Sequence, residues 1–178
     1  MTDKHSIKAD NKKANQLLYL FMAIGIMPLL CILAIYYQNI DTPLLNEIAN
    51  STEKLPSITS SYNPLMTKVM DIYCKTAPFL ALALYITTFN TRKLIDNIDK
   101  KTVLKSSLLS PFVCAVFLYL LCFRNLELTT AGMPIRLMAN SDITLLLFYI
   151  GLYLIIFFTS YAALLTPTIA LNLLKERQ

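Results

Sequence analysis

Charged residues are scarce in this chain, and those present are confined to short segments. They make up 15% of its 178 residues, whereas a typical globular domain contains about a quarter. Residues 143–171 form a stretch of 29 positions without a single charged side chain. As an α-helix this stretch would extend about 44 Å, which exceeds the roughly 30 Å thickness of the hydrocarbon core of a bilayer. The scarcity of charge therefore excludes an ordinary soluble domain and indicates a protein that spans a membrane.

Histidine is nearly absent as well, and the cysteines lack the spacing of a metal site. His5 is the only histidine, and the four cysteines form no Cys-x-x-Cys pair. The apolar stretches contain no glutamate and one aspartate near an edge, so they cannot assemble a zinc set, paired acids or a base-activated nucleophile. The sequence predicts no metal site, no cofactor and no enzymatic activity.

Four apolar stretches predict an all-α fold, a polytopic four-transmembrane-helix bundle in a single domain over residues 1–178. The predicted spans are residues 17–37, 69–91, 106–123 and 143–171. In the first, Gly25 is expected to let a neighbouring helix approach closely, and Pro28 is expected to kink the helix. The second is the weakest, because Asp71 and Lys75 must be accommodated in its outer turns. Their i,i+4 spacing favours an ion pair.

The distribution of basic residues predicts how these spans are oriented. The net charge of +5 resides in clusters that flank apolar stretches, which is typical of membrane orientation signals and not of nucleic-acid binding. Residues 1–16, 92–105 and 172–178 contain eleven lysines and arginines, whereas residues 38–68 and 124–142 contain four. Both termini are therefore predicted to be cytoplasmic, with residues 38–68 and 124–142 as periplasmic segments.

The polar segments have less distinctive patterns. Residues 1–16 are mostly polar and charged, so we expect them to be poorly ordered. In the segment 38–68, Leu44, Leu45 and Ile48 recur at helical spacing. This pattern fits a short amphipathic helix on the membrane surface and a solvated loop about equally well.

Two kinds of residue are candidates for binding a partner. Oppositely charged residues three or four positions apart lie near the outer surface on this topology, where they either anchor helices or orient an incoming protein. Small residues recur every four positions within spans, where they either pack the bundle against itself or form a docking face. The candidate contact residues are Asp71, Lys75, Ala77, Ala81, Arg124, Glu127, Arg136, Ala162 and Thr166.

A small transporter or channel subunit is an alternative function. Such a protein needs ionisable groups or broken helices at the membrane midplane. The deep positions of these spans are apolar apart from Thr and Tyr hydroxyls, and prolines such as Pro28 and Pro167 are usually tolerated as kinks. A third alternative is a subunit that assists assembly of a larger complex. Recognition of a partner within the membrane is the interpretation we favour.

Three irregular runs of sequence resemble the immunity proteins of pore-forming colicins of the colicin A type. They are residues 55–82 (LPSITSSYNPLMTKVMDIYCKTAPFLAL), residues 122–132 (CFRNLELTTAG) and residues 145–153 (LLLFYIGLY). The resemblance extends over essentially all 178 residues. Runs this long and irregular are far more specific than a general similarity of hydropathy.

This resemblance implies a plasmid-encoded protein of the bacterial inner membrane that protects a colicin-producing cell. Proteins of this kind have four spans with cytoplasmic ends. Their partner is the pore-forming domain of the toxin, whose hydrophobic helical hairpin enters the inner membrane from the periplasm. We therefore expect this chain, surrounded by membrane lipids, to bind the inserted toxin through the candidate contact residues and to block channel opening.

Overall fold

The computed structural model of the protein describes residues 2–40, 42–89, 91 and 100–175, which are mostly helical. The helices are α1 (Thr2–Gln38), α2 (Pro43–Ser51), α3 (Pro64–Cys74), α4 (Ala77–Thr88), α5 (Lys100–Cys122), α6 (Met133–Met138) and α7 (Asp142–Lys175). Two short strands, β1 (Ile58–Thr59) and β2 (Leu126–Glu127), pair in parallel, and a 3-10 helix (Leu128–Thr130) follows β2. The predicted helical fold is confirmed apart from this small pair of strands.

Among the described residues, three helical segments are long and apolar enough to cross a membrane. They are Asp10–Gln38, Pro64–Thr88 and Asp142–Leu171, which correspond to the first, second and fourth predicted spans. At the third predicted span, the apolar helix within the described residues is shorter, Leu109–Cys122. The segments 92–99 and 176–178, whose basic residues contributed to the predicted orientation, lie outside the described residues. Four crossings and cytoplasmic termini therefore stay predictions.

Helix α1 begins well before the first predicted span. Its helical conformation starts at Thr2, whereas we expected the first sixteen residues to be poorly ordered. Residues 2–16 contain neither proline nor glycine. A helix nucleated in the apolar stretch can therefore extend backwards through them one hydrogen bond at a time. The helix also continues through Pro28.

The second predicted span consists of two helices. Helix α3 ends at Cys74 and α4 begins at Ala77, with a turn between them. Pro78 accounts for the break, because it has no N–H to donate and its ring clashes with the carbonyl four residues earlier, that of Cys74. The helical segment also begins at Pro64, five residues before the predicted start of the span. The outer polar segment is correspondingly shorter than predicted.

Helix α7 lies at the centre of the bundle and contacts α1, α3, α4 and α5. Gly25 of α1 allows one of these contacts, because a Cβ at this position would overlap the Tyr153 hydroxyl of α7. The predicted close approach at Gly25 is therefore confirmed. The Tyr73 ring of α3 stacks on Tyr153 with centroids 5.6 Å apart, and its hydroxyl donates to the Gly25 carbonyl at 2.8 Å. Three helices thus meet at one aromatic contact.

Two segments meet at one end of the bundle: residues 38–63 lie between α1 and α3, and residues 123–141 lie between α5 and α7. We call this end the polar end. Pairing of β1 with β2 joins the two segments. Helix α2 packs against α3 with Leu45 buried, which confirms the helical alternative for this part of the chain. Asn63 accepts a hydrogen bond from the Tyr36 hydroxyl at 2.9 Å and donates one to Asp142. The ends of α1, α3 and α7 are therefore linked through one side chain.

Candidate functional site

An apolar cleft lies beside the polar end, between the first turns of α4 and the last turns of α5. Its volume is about 550 Å³. Its walls are formed by Leu55, Pro56, Lys75, Pro78, Phe79, Ala115, Leu118, Tyr119, Cys122 and Phe123. Because Lys75 is the one charged residue in these walls, the cleft favours an apolar occupant. We call it the α4–α5 cleft.

Lys75 connects this cleft to a buried carboxylate. Its ammonium nitrogen lies 2.7 Å from Asp71 Oδ2 and also donates to the Pro56 carbonyl. The predicted i,i+4 ion pair is therefore confirmed. The Asp71 side chain is fully buried within the protein, so it is not exposed for direct contact with a partner. Helix α3 begins at Pro64, which places Asp71 inside the helical segment, and β1 packs against that helix.

The chain around β1 is held in place on two sides. Lys68 donates from its ammonium group to the Leu55 carbonyl at 2.7 Å. The buried Tyr149 hydroxyl of α7 donates to the Ile58 carbonyl at 2.8 Å. Because these bonds hold the carbonyls of Leu55 and Ile58, on either side of Pro56, the part of the cleft wall that comes from the polar end has a defined position.

Glu127 ties β2 to the segment that carries β1. Its carboxylate accepts hydrogen bonds from the Ser61 amide at 2.7 Å and from the Thr129 hydroxyl at 2.9 Å. Partial burial acts to raise the pKa of Glu127, but the hydrogen bonds from Ser61 and Thr129 outweigh it and lower the pKa. Within the described residues Glu127 forms no ion pair with Arg124. Helix α5 ends at Cys122, so helical i,i+3 spacing does not apply to this pair.

The remaining candidate residues near the polar end differ in exposure. Arg124 and Arg136 are exposed there, where a partner can reach them. Ala77 and Ala81 are fully buried in the hydrophobic core. Of the two interpretations of this small-residue stripe, the structure therefore favours packing of the bundle against itself.

Ala162 and Thr166 lie in a different part of the bundle. Both are half-buried on α7. The Cys74 thiol donates to the Tyr149 carbonyl at 3.4 Å, so the end of α3 is level with Tyr149. Ala162 follows Tyr149 by thirteen residues, a separation of about 20 Å along the helix. These two residues are therefore remote from the α4–α5 cleft.

Sequence reasoning missed the apolar side chains that line the cleft. Phe79, Tyr119 and Phe123 are largely exposed, and the rings of the last two stack with centroids 5.5 Å apart. In the sequence such residues are indistinguishable from lipid-facing ones, because hydropathy does not separate a cleft wall from a lipid contact. Pro78 was the available signal, since it marks the helix break beside which the cleft lies.

The chemistry available at the cleft is that of binding. Its walls offer apolar surface, aromatic rings and an ammonium group that is already paired with Asp71. In the part of the chain that the structure describes, no three His, Cys, Asp or Glu side chains lie close enough together to hold a metal ion. The arrangement suits recognition of an apolar segment.

The described residues form a helical protein with segments long and apolar enough to cross a membrane and with an apolar cleft. A family model described as colicin immunity protein matches residues 41–178. The chain therefore belongs to the colicin immunity protein family.

Two relatives extend over nearly the whole chain. The chain is 68% identical to the Colicin-A immunity protein of Citrobacter freundii over 178 residues, which is 100% of both chains. It is 39% identical to the Colicin-B immunity protein of Escherichia coli over 173 residues, 97% of this chain and 99% of the relative. No solved structure matches the chain. The family resemblance carried by the three sequence runs is thus confirmed.

Proposed function

We propose that this protein protects a bacterial cell from a pore-forming colicin of the colicin A type by binding the toxin in the inner membrane. Membership of the colicin immunity family and the 68% identity to the Colicin-A immunity protein support this role. Three helical segments of sufficient length and hydropathy among the described residues support a location within lipid. In the proposed topology α5 provides a fourth crossing, and both termini are cytoplasmic.

The α4–α5 cleft is the observation that carries the proposal for the binding site. In the proposed topology the polar end faces the periplasm, the side from which the toxin arrives. We assign the cleft as the docking site for the apolar helical hairpin of the pore-forming domain. Phe79 and Tyr119 contact its apolar side chains, while Arg124 orients its polar end.

Binding must favour the closed toxin by as much as the membrane potential favours the open one. Moving one charge through 100 mV yields about 2.3 kcal/mol, so a few gating charges supply about 7–10 kcal/mol. Selectivity for the closed state by a similar margin holds the channel shut. This mechanism requires no covalent chemistry, and so the proposal includes no enzymatic activity and no cofactor.

A protection assay tests the proposed role. Sensitive cells that express the chain are challenged with pore-forming colicins of the A and B types, and with a nuclease colicin as control. We expect survival of the cognate pore former and undiminished killing by the nuclease colicin. Protection against both would indicate a lost receptor or import pathway and would contradict immunity. Transport activity in liposomes without toxin would instead favour the alternative of a transporter or channel subunit.

Filling the cleft tests its assignment as the docking site. Ala115 is exposed and lines the cleft, whereas its neighbour Val116 is exposed on α5 outside it. Overpacking of an interface costs about 1–3 kcal/mol, so Ala115→Phe should make cells about tenfold or more sensitive to the cognate toxin. Val116→Phe should leave protection unchanged. Equal protection by both variants, at equal abundance in the membrane, would place the docking site elsewhere.

A further inference from the structure

Helix α6 has two opposite faces with different surroundings. Ile135 packs against the hydrophobic core, and Ala139, four residues on, is fully buried. Met133 and Leu137 lie two residues from these positions, about 200° around a helix. They are 66% and 61% exposed. This short helix therefore directs an apolar face away from the protein.

Hydrogen bonds fix the orientation of this face. The Thr144 hydroxyl of α7 donates to the Met138 carbonyl at 2.7 Å, and the Ser60 hydroxyl donates to the Ala139 carbonyl at 3.5 Å. Three residues separate the end of α6 from the start of α7. The exposed face of α6 is thus held at the level where the membrane-spanning part of α7 begins.

The first turns of α7 also expose apolar side chains, and a positive charge lies beside the exposed face of α6. Ile143 and Leu147, one turn apart in α7, are exposed in the same way and lie on a surface that faces lipid in a spanning helix. Arg136 is exposed and lies about 100° around the helix from Leu137, between the apolar face and the core side. An apolar face flanked by a guanidinium group suits the headgroup region of a bilayer, because acyl chains accept the first and phosphate accepts the second.

We infer that α6 is an interfacial membrane anchor, in which Met133 and Leu137 enter the outermost acyl region and Arg136 binds a phospholipid phosphate. The anchor sets the depth of the polar end and holds the α4–α5 cleft just below the headgroups. It does not depend on which toxin the cleft binds, nor on the cleft being the docking site.

Fluorescence of a single introduced tryptophan tests the inference. The chain contains no tryptophan. The full-length Leu137→Trp variant is reconstituted into vesicles of phosphatidylethanolamine and phosphatidylglycerol that contain lipid brominated near the top of its acyl chains. We expect emission at shorter wavelength and about threefold stronger quenching by the brominated lipid than for Glu53→Trp. Glu53 is a suitable control because it is exposed in a turn at the same end of the molecule.

Several outcomes would overturn the anchor. Equal quenching of both variants by the brominated lipid would do so, as would strong quenching of Leu137→Trp by aqueous iodide. Shielding that develops only after the toxin's pore-forming domain is added would make α6 a protein contact instead. Met133→Trp repeats the measurement on the same face, and unchanged far-ultraviolet circular dichroism verifies folding.

Arg136 is tested separately in the Leu137→Trp background. Arg136→Gln should lower quenching by the brominated lipid by about half in phosphatidylglycerol vesicles, whereas Arg136→Lys should retain it. Unchanged quenching in Arg136→Gln would overturn the phosphate contact. Protection assays on the same variants distinguish this inference from the proposed function. If Leu137→Trp still protects cells but is quenched by the brominated lipid no more than Glu53→Trp, the anchor alone is overturned. If Leu137→Trp no longer protects cells but is still strongly quenched by the brominated lipid, the anchor is supported.

Discussion

Helices α5 and α7 are both apolar, yet their side chains have very different surroundings. On α7, Tyr149, Tyr153 and Phe157 are fully buried, whereas on α5 Phe112 and Val116 are largely exposed. Among the described residues α7 contacts five other helices, while α5 packs chiefly against α7. The difference comes from the position of each helix in the bundle and not from its composition.

This comparison shows that close packing, and not hydropathy, distinguishes the central helix α7 from α5. In the proposed topology an exposed Phe on α5 faces acyl chains that are as apolar as the core, so the hydrophobic effect does not favour turning it inward. Close packing distinguishes α7, where the Tyr153 ring stacks on Phe157 with centroids 6.2 Å apart and on Tyr73 of α3. We therefore expect the surroundings of α7 to be sensitive to substitution and the outer face of α5 to be tolerant.

The largest effect on stability is expected at the ion pair between Asp71 and Lys75, at the end of α3, a helix that packs against α7. Lys75→Met leaves the buried Asp71 carboxylate without a counter-charge, which should lower the free energy of unfolding by about 3–5 kcal/mol. The double variant Asp71→Leu/Lys75→Met should recover most of this loss, because no uncompensated charge is left. Denaturant titration in detergent micelles, followed by circular dichroism, measures both. A double variant no more stable than Lys75→Met would contradict this account.

The comparison of the two helices is tested directly by matched Phe→Ala substitutions. Phe157→Ala leaves a cavity beside Tyr153, and we expect it to lower the free energy of unfolding by about 3 kcal/mol. Phe112→Ala removes an exposed ring and should change the same quantity by less than about 0.5 kcal/mol. The same titration measures both variants. Similar losses in the two would show that α5 is packed as tightly as α7.

Two glycines provide a smaller test. Gly25→Ala places a methyl group against the Tyr153 hydroxyl and should cost about 1–3 kcal/mol through overpacking. At Gly151 no atom lies within 4 Å of a Cβ, so Gly151→Ala should be neutral or should stabilise α7 by up to about 1 kcal/mol. Thermal unfolding of the detergent-solubilised protein measures both shifts. Equal destabilisation by the two would argue against close contact between α1 and α7.

The smallest effect on stability is expected at Glu127, which lies in β2, the strand that follows α5. Because hydrogen bonds lower its pKa in the folded protein, the stability it contributes is complete above the ordinary value of 4.5 and is lost as the pH falls through the lowered pKa. Glu127→Gln should therefore flatten the acid limb of a plot of unfolding free energy against pH. Parallel acid limbs for both proteins would show that the Ser61 and Thr129 bonds do not stabilise the carboxylate.

Local sequence patterns predicted the features that depend on neighbouring residues. The apolar stretches indicated the long helices, and the i,i+4 spacing of Asp71 and Lys75 indicated their ion pair. Gly25 was recognised because a residue without a side chain admits a neighbouring helix at that level. The break before α4 was missed, although Pro78 is sufficient to explain it.

Features that depend on distant residues were beyond such patterns. The pairing of Ile58 with Leu126 joins residues 68 positions apart, and each strand has only two residues, too few for a recognisable alternation. The contact between Glu127 and the Ser61 amide follows from that pairing. The burial of Asp71 depends likewise on β1, which approaches α3 from outside the helix.

The sequence by itself determined that this chain forms long apolar helices and belongs among the colicin immunity proteins, because hydropathy and irregular runs of residues are properties of the chain alone. Only the tertiary structure decided that α7 is central, that Asp71 is buried and that a cleft opens between α4 and α5. The physical reason is that lipid and protein core are equally apolar. An apolar side chain therefore gains about the same free energy on leaving water whether it enters lipid or the protein core. Shape complementarity between distant residues, such as Gly25 and Tyr153, then selects which faces meet.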